Sequence, residues 1–290
     1  MAEFNKSPVE PAWCPGCGNF AVREAVIQAF NDSGLEKKDL VMVSGIGQAA
    51  KMPHYIDVNF FNGLHGRALP AATGIKLANP ALTVVAESGE GCNYGEGGNH
   101  FLAALRRNID LTLLVHDNQI YGLTKGQASP TTEPGQITKS TPQGVFNQPF
   151  HPLSVAIVTG AGYVARGFSG EIAHLAGLIV EAMRYPGLAV VDILTPCISF
   201  NRSSTFKWYK DRVRMLPETH DPSDKMAALA ISEKWGDEIP IGLIYRRDPA
   251  EAESLDLKIA KHRGLEKPPV LAGNPPKREA LESFMRQSVF

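Results

Sequence analysis

The chain has 290 residues, 43% of them hydrophobic, with 30 acidic side chains against 29 basic ones for a net charge of −1. That balance leaves no electrostatic footprint for nucleic acid, and no apolar run approaches the ~20 residues that span a bilayer. The start, Met1-Ala2-Glu3-Phe4-Asn5-Lys6, lacks the basic and apolar regions of a secretion signal, so the four cysteines read as ligands or buried thiols of a cytoplasmic protein and not as a disulfide framework.

In chain order, apolar Val22, Val26, Ala29 and Phe30 at helical spacing predict a helix over 20–30, with Gly34 as its C-terminal stop. Residues 40–43 predict a strand that runs into the turn Gly45-Ile46-Gly47. A helix follows over 67–77, then a buried strand over 82–86 that ends in Ser88-Gly89-Glu90-Gly91-Cys92. A helix through 101–105 closes on Arg106-Arg107, which suits the helix dipole. The next strand, 111–115, ends in Asp117-Asn118-Gln119-Ile120-Tyr121-Gly122. This alternation predicts an α/β fold with a doubly wound, mostly parallel sheet.

Residues 127–151 change character, with Ser129-Pro130, Glu133-Pro134-Gly135 and Asn147-Gln148-Pro149 marking a long polar loop; such loops inside domains usually carry function. Helix and strand signals resume over 170–183 and 188–194, and the last strand is expected over 239–245. Beyond Arg247 the chain turns charged and proline-rich. The expected organisation is therefore a domain over 1–247 and an extended C-terminal arm over 248–290 with one short helix at 278–285.

Glu90 and Asn118 thus stand at the carboxyl ends of two strands, where open α/β sheets bind ligands. The glycines beside Glu90 allow backbone amides to approach a phosphate, and both side chains offer the oxygen donors that a phosphate-bound Mg²⁺ takes. An acid between glycines, about thirty residues before an asparagine, is the layout of a thiamine diphosphate motif. The bland alternative makes Asn118 a turn residue after a strand.

Five segments carry a more specific message: Trp13-Cys14-Pro15-Gly16-Cys17-Gly18, Gly45-Ile46-Gly47, Leu64-His65-Gly66-Arg67, Gly122-Leu123-Thr124-Lys125-Gly126-Gln127 and Thr195-Pro196-Cys197. In this order the chain resembles the β subunit of 2-oxoacid:ferredoxin oxidoreductases over residues 11–201, with a weaker tail to about 247. The resemblance implies a thiamine-diphosphate-binding fold in which Ile46, Gly47, Gln48 and Ala49, the segment 64–67, Gly91 with Cys92, and Gly122, Leu123 and Thr124 touch the cofactor. It implies Mg²⁺ held by Glu90, Asn118 and the Ile120 carbonyl, and a [4Fe–4S] cluster on Cys14, Cys17 and Cys197. By ligand type alone, a structural zinc or plain buried thiols remain open for the cysteines.

Two positions depart from the family. Gln48 stands where the fourth cluster cysteine usually lies, and Glu90 replaces an aspartate. Cys92 is the only spare thiol, so it is expected to complete the cluster; a three-cysteine, altered or labile cluster is the competing reading, and a small buried hydrophobe the bland one. His65 is expected to act at the cofactor. Lys51 and Lys125 are candidate cations for substrate carboxylates, Lys51 for the distal carboxylate of 2-oxoglutarate, against the plain reading of two solvated surface lysines.

By resemblance the activity is CoA-dependent oxidative decarboxylation of a 2-oxoacid, or its reverse, with 2-oxoglutarate favoured over pyruvate. The partners implied are an α subunit that carries the pyrimidine-binding domain, a ferredoxin or ferredoxin-like subunit, and an α2β2 or larger assembly. The competing classes are a non-redox thiamine decarboxylase or synthase, and a paralogue that has lost the cluster through Gln48.

Overall fold

Runs rich in valine, leucine and isoleucine form the central strands of an eight-stranded sheet. The computed structural model describes residues 3–251 and 253–263. The strand order is β2 (Asn59–Asn62), β1 (Leu40–Ser44), β3 (Thr83–Gly89), β4 (Leu111–Asp117), β6 (Leu188–Leu194), β5 (Tyr163–Phe168), β8 (Ile239–Arg246) and β7 (Val213–Met215). Every neighbouring pair is parallel except β5 with β8. Strands β4 and β6 are buried at every residue, because helices cover both faces; that is why they read as unbroken apolar runs.

One face is covered by α1 (Asn19–Ser33) and α5 (Ile172–Arg184). Their Val22, Val26 and Phe30 meet Leu175 and Ile179 in a single apolar cluster. The other face carries α2 (Ala68–Ala78), α3 (Gly98–Arg107), α4 (Pro152–Thr159) and α7 (Lys225–Ser232), which share a second cluster around Leu69, Phe101, Leu153 and Ala228. A third cluster joins Phe168, Leu194 and Ile241 to Tyr209 of α6 (Phe206–Arg212). The sheet is doubly wound, as its alternation predicts.

Helix α1 extends past the expected 20–30 and stops where Gly34 takes a left-handed φ of 77°. Elements with weaker patterns went unread: β2, β5, β7, α4, α6 and α7. Strand β2, Asn-Phe-Phe-Asn, is exposed at all four residues and lies at the sheet edge, so no alternation marks it. The expected loop 127–151 holds no helix or strand, yet Thr132 Oγ1 donates to Gln119 O at 2.7 Å and receives from Ser129 N at 2.7 Å, which ties it to the site.

The arm expected beyond Arg247 begins as structure rather than as an extended chain. Helix α8 (Leu255–Arg263) is docked through buried Asp256, whose Oδ1 accepts from Asp110 N at 3.1 Å. The remainder, with the helix expected at 278–285, lies outside the described residues. Among the described residues no helix is long and apolar enough to cross a membrane.

Candidate active site

Parallel register brings three strand ends to one edge: Ser44 pairs with Glu87, and Gly89 with His116. The turns after β1, β3, β4 and β6 therefore surround one cavity. Its walls differ in chemistry.

The first wall is oxygen-rich. Glu90 is only 2% exposed, and its Oε1 is buried without a hydrogen-bond partner. Burial and the charge of Asp117 push its carboxyl well above the usual range, opposed by the Ser129 side chain and the backbone amides of Glu90 and Gly91. A desolvated carboxylate short of donors costs several kcal/mol unless a cation meets it, so this group suits a metal. Asn118 Oδ1 accepts from Ile120 N at 3.0 Å, and Gln119 between them has a φ of 57°. That left-handed turn, which asparagine-like side chains tolerate and glutamine rarely adopts, aims Asn118 and Ile120 at the cavity. Asp117, pushed up to about 6 by burial, accepts from Thr131 Oγ1 at 2.7 Å and Gln119 N at 3.1 Å, fixing the turn from below.

Glu90 is followed by a buried π-helical turn, Gly91–Glu96, closed by Gly97 N donating to Cys92 O at 3.0 Å. A Cβ on Gly91 would stand 2.2 Å from Tyr121 Cε1, so only glycine lets Tyr121 lie over the loop. His65 borders the same space, with Nδ1 3.3 Å from Glu96 Oε2.

The second wall is sulfur-rich. Cys14 and Cys17 share a turn in which Cys17 N donates to Cys14 O at 2.9 Å. Cys197 approaches on the segment after β6, where Gly18 N donates to Pro196 O at 3.4 Å. A Cβ on Gly18 would lie 2.8 Å from Thr195 Cγ2, so glycine permits the two thiol-bearing segments to meet. Burial pushes the Cys17 thiol up to about 11; the Asn19 amide opposes this, and Cys197 and Cys14 add to it. Trp13 Nε1 donates to Gln48 O at 2.7 Å, and Gln48 Oε1 is buried with no partner; leaving an amide oxygen so costs about 1–3 kcal/mol.

Cys92 lines the same cavity from the loop after β3. It is 3% exposed, its Sγ accepts from Gly66 N at 3.1 Å, and a Cβ on Gly45 would fall 2.4 Å from that sulfur. The sulfur is packed between two glycine turns of the cofactor side.

Most of the residues expected from sequence line this one cavity: Ile46 to Ala49, His65, Glu90 to Cys92, Asn118, Ile120, Gly122 to Thr124, and the other three cysteines. Five do not. Lys51 is partly exposed in the 3-10 helix Ala49–Tyr55, Lys125 is exposed with a φ of 76°, and Leu64 and Arg67 are exposed. Gly66 is buried and acts through its amide. Lys51 and Lys125 lie beside cavity-lining turns without lining the cavity themselves, and among the described residues no lysine or arginine does. Sequence reasoning missed Trp13, Asn19, Tyr121 and Phe200 as lining residues; Tyr121 sits inside a quoted motif, and its fit to Gly91 was the unread signal.

The donor sets fit the implied groups. Glu90 Oε1 and Asn118 offer oxygen to Mg²⁺ beside a glycine cradle for a diphosphate. Among the described residues no three His, Cys, Asp or Glu side chains converge on a single ion. Three thiols spread around a cavity suit a polynuclear iron–sulfur cluster better than a tetrahedral zinc.

The fold and this site define a thiamine-pyrophosphate-binding enzyme, and residues 41–193, more than half of the chain, match the family described as "Thiamine pyrophosphate enzyme, C-terminal TPP binding domain". Residues 197–260 match the family described as the C-terminal part of the pyruvate ferredoxin oxidoreductase β subunit. The chain is 43% identical over 285 residues to a 2-oxoacid:ferredoxin oxidoreductase subunit beta of Saccharolobus solfataricus, covering 93% of this chain and 90% of that one. It is 43% identical over 202 residues to the 2-oxoglutarate synthase subunit KorB of Archaeoglobus fulgidus, covering 69% and 75%. A solved structure, the 2-oxoglutarate:ferredoxin oxidoreductase from Magnetococcus marinus with 2-oxoglutarate, coenzyme A and succinyl-CoA bound, superimposes with a TM-score of 0.87 at 37% identity, covering 98% of this chain and 94% of that one. This chain belongs to the β subunits of the 2-oxoacid:ferredoxin oxidoreductases.

Proposed function

We propose that this subunit acts in a cytoplasmic complex that converts 2-oxoglutarate and coenzyme A to succinyl-CoA and CO₂, or the reverse, and exchanges electrons with ferredoxin. The observation that carries this reading is the single cavity in which a cation-seeking Glu90 faces three thiols. Thiamine diphosphate, when bound, supplies the electron sink for decarboxylation. The chain's own part is to hold and orient. Glu90, Asn118 and the Ile120 carbonyl hold Mg²⁺, and the glycines beside Glu90 open backbone amides to the diphosphate. Tyr121 walls the loop, and His65, whose Nδ1 lies 3.3 Å from Glu96 Oε2, offers a ring nitrogen to the reacting end. Cys14, Cys17 and Cys197 would hold a [4Fe–4S] cluster, which would supply a one-electron acceptor beside the cofactor. The names of the synthase and of the bound solved structure support 2-oxoglutarate as substrate. The cations for its two carboxylates come from Lys51, two residues beyond the cavity-lining Ala49, and from the α subunit, which also supplies the pyrimidine-binding domain in an α2β2 or larger assembly. Residues 1–247 form the catalytic unit, and 248–290 form a tail that α8 fastens to it.

The test is ferredoxin reduction by the complex assembled with its α subunit under anaerobic conditions. CoA-dependent reduction with 2-oxoglutarate, at a kcat/KM at least tenfold above that for pyruvate, is expected. A preference for pyruvate would overturn the substrate, and decarboxylation without ferredoxin reduction would overturn the enzyme class.

A further inference from the structure

The sulfur wall has three thiols, and a cubane cluster presents four irons. Cys92 is the fourth donor expected from sequence; its Sγ accepts the Gly66 amide at 3.1 Å and packs against Gly45, among the turns of the cofactor side. The sulfur wall does contain another donor. Gln48 lines the cavity beside Cys14 and Cys17, and its Oε1 is buried without a partner. Its backbone is pinned to the thiol loop: Trp13, the neighbour of Cys14, donates from Nε1 to Gln48 O at 2.7 Å, and Trp13 is itself clamped edge-on by Phe20 and Tyr55. Gly47, with a φ of 116°, sets the turn that presents Gln48 in this way. A desolvated carboxamide oxygen with no protein donor, held against a thiol loop, is what a Lewis-acidic iron accepts.

We propose that Gln48 Oε1 ligates the fourth iron, so that the cluster is bound by three thiolates and one neutral oxygen and Cys92 serves the cofactor loop instead. This rests on the iron–sulfur reading of the three cysteines. Its consequence is a cluster with one negative charge fewer than a four-thiolate site, hence a higher reduction potential, and one iron that is more readily lost or exchanged.

The experiment uses the anaerobically purified complex and reads iron per β chain, Mössbauer and EPR spectra, and the reduction potential by titration. Wild type is expected to hold four irons, one of them spectroscopically distinct, with hyperfine coupling to ¹³C in protein labelled at the glutamine carboxamide. Gln48→Ala should lose that iron and give a three-iron EPR signal on mild oxidation. Gln48→Glu should keep it, and Gln48→Cys should keep it and lower the potential. Cys92→Ser should leave iron count and spectra unchanged. A full, unaltered cluster in Gln48→Ala, or loss of the fourth iron in Cys92→Ser, overturns the proposal alone. Wild-type complex devoid of iron overturns both it and the iron–sulfur reading.

Discussion

The two walls of the cavity solve opposite problems. The oxygen wall is buried: Glu90 and Asp117 are held out of water on loops whose turns are locked by Ser129, Thr131 and Gln119. The sulfur wall is half open: Cys14 is exposed and Cys17 and Cys197 are partly so. Burial makes the carboxylate depend on a cation, and partial exposure leaves the thiols within reach of an electron acceptor. The lesson is that the walls should be separable, each losing its own group without the other's.

The largest effect is expected at Glu90. Glu90→Ala should weaken retention of thiamine diphosphate and Mg²⁺ by at least 100-fold in equilibrium dialysis, with iron per chain unchanged. Glu90→Asp should bind at least as well, because the glycines on either side let the loop adjust to the shorter acid. Equal loss of iron in Glu90→Ala would break the comparison. In mirror image, Cys17→Ser should bleach the visible absorption and remove most of the iron, while cofactor affinity changes by less than about threefold.

A smaller effect tests how Tyr121 shapes the oxygen wall. Gly91→Ala places a methyl against the ring, and overpacking of this kind costs about 1–3 kcal/mol. Cofactor affinity should fall about tenfold, and Tyr121→Ala in the same chain should restore most of it; absence of rescue would remove Tyr121 from the account. Smaller still is Lys51→Met. A partly solvated lysine contributes about 0–1 kcal/mol, so KM for 2-oxoglutarate should rise no more than about fivefold, with kcat for pyruvate unchanged. An equal change on both substrates would show that Lys51 does not sense the distal carboxylate.

A separate effect, on folding and not on the cofactor, is expected in the pH dependence of stability. Burial pushes the Asp192 carboxyl up to about 8, aided by the charge of Asp117 and opposed by Arg166 and by Tyr94, which donates to Oδ1 at 2.8 Å. The folded state therefore binds this proton more tightly than the unfolded chain does, so its contribution to stability is present at low pH and is lost as pH rises towards about 8. Urea unfolding should show stability falling between pH 5 and pH 8, and Asp192→Asn should flatten that slope. An unchanged slope in Asp192→Asn would assign the titration elsewhere.

The sequence foretold β1, β3, β4 and β6 well, because they are apolar runs buried on both faces, and β1 and β3 also run into glycine turns. It missed β2 and β7 because short edge strands need no apolar alternation, and β5 because Tyr163-Val-Ala-Arg-Gly-Phe carries a buried arginine whose partners, Pro240 O and Ser232 O, are distant in the chain. The site was legible where chemistry follows motif: Glu90, Asn118 and the three cysteines gather as the motifs imply. Cys92 reads from its identity as a ligand, while its packing between Gly45 and Gly66 is a tertiary feature that no motif announces. The lysines are less legible, since nearness in sequence to a turn does not decide whether a long side chain faces the cavity.

The most direct test mixes the anaerobic complex with 2-oxoglutarate and coenzyme A in the absence of ferredoxin and follows the cluster's visible absorption. Wild type should bleach in a single rapid phase, and Glu90→Ala, with its iron intact, should not bleach. Bleaching at the wild-type rate in Glu90→Ala, or none in fully iron-loaded wild type, would contradict the claim that the two walls serve one reaction.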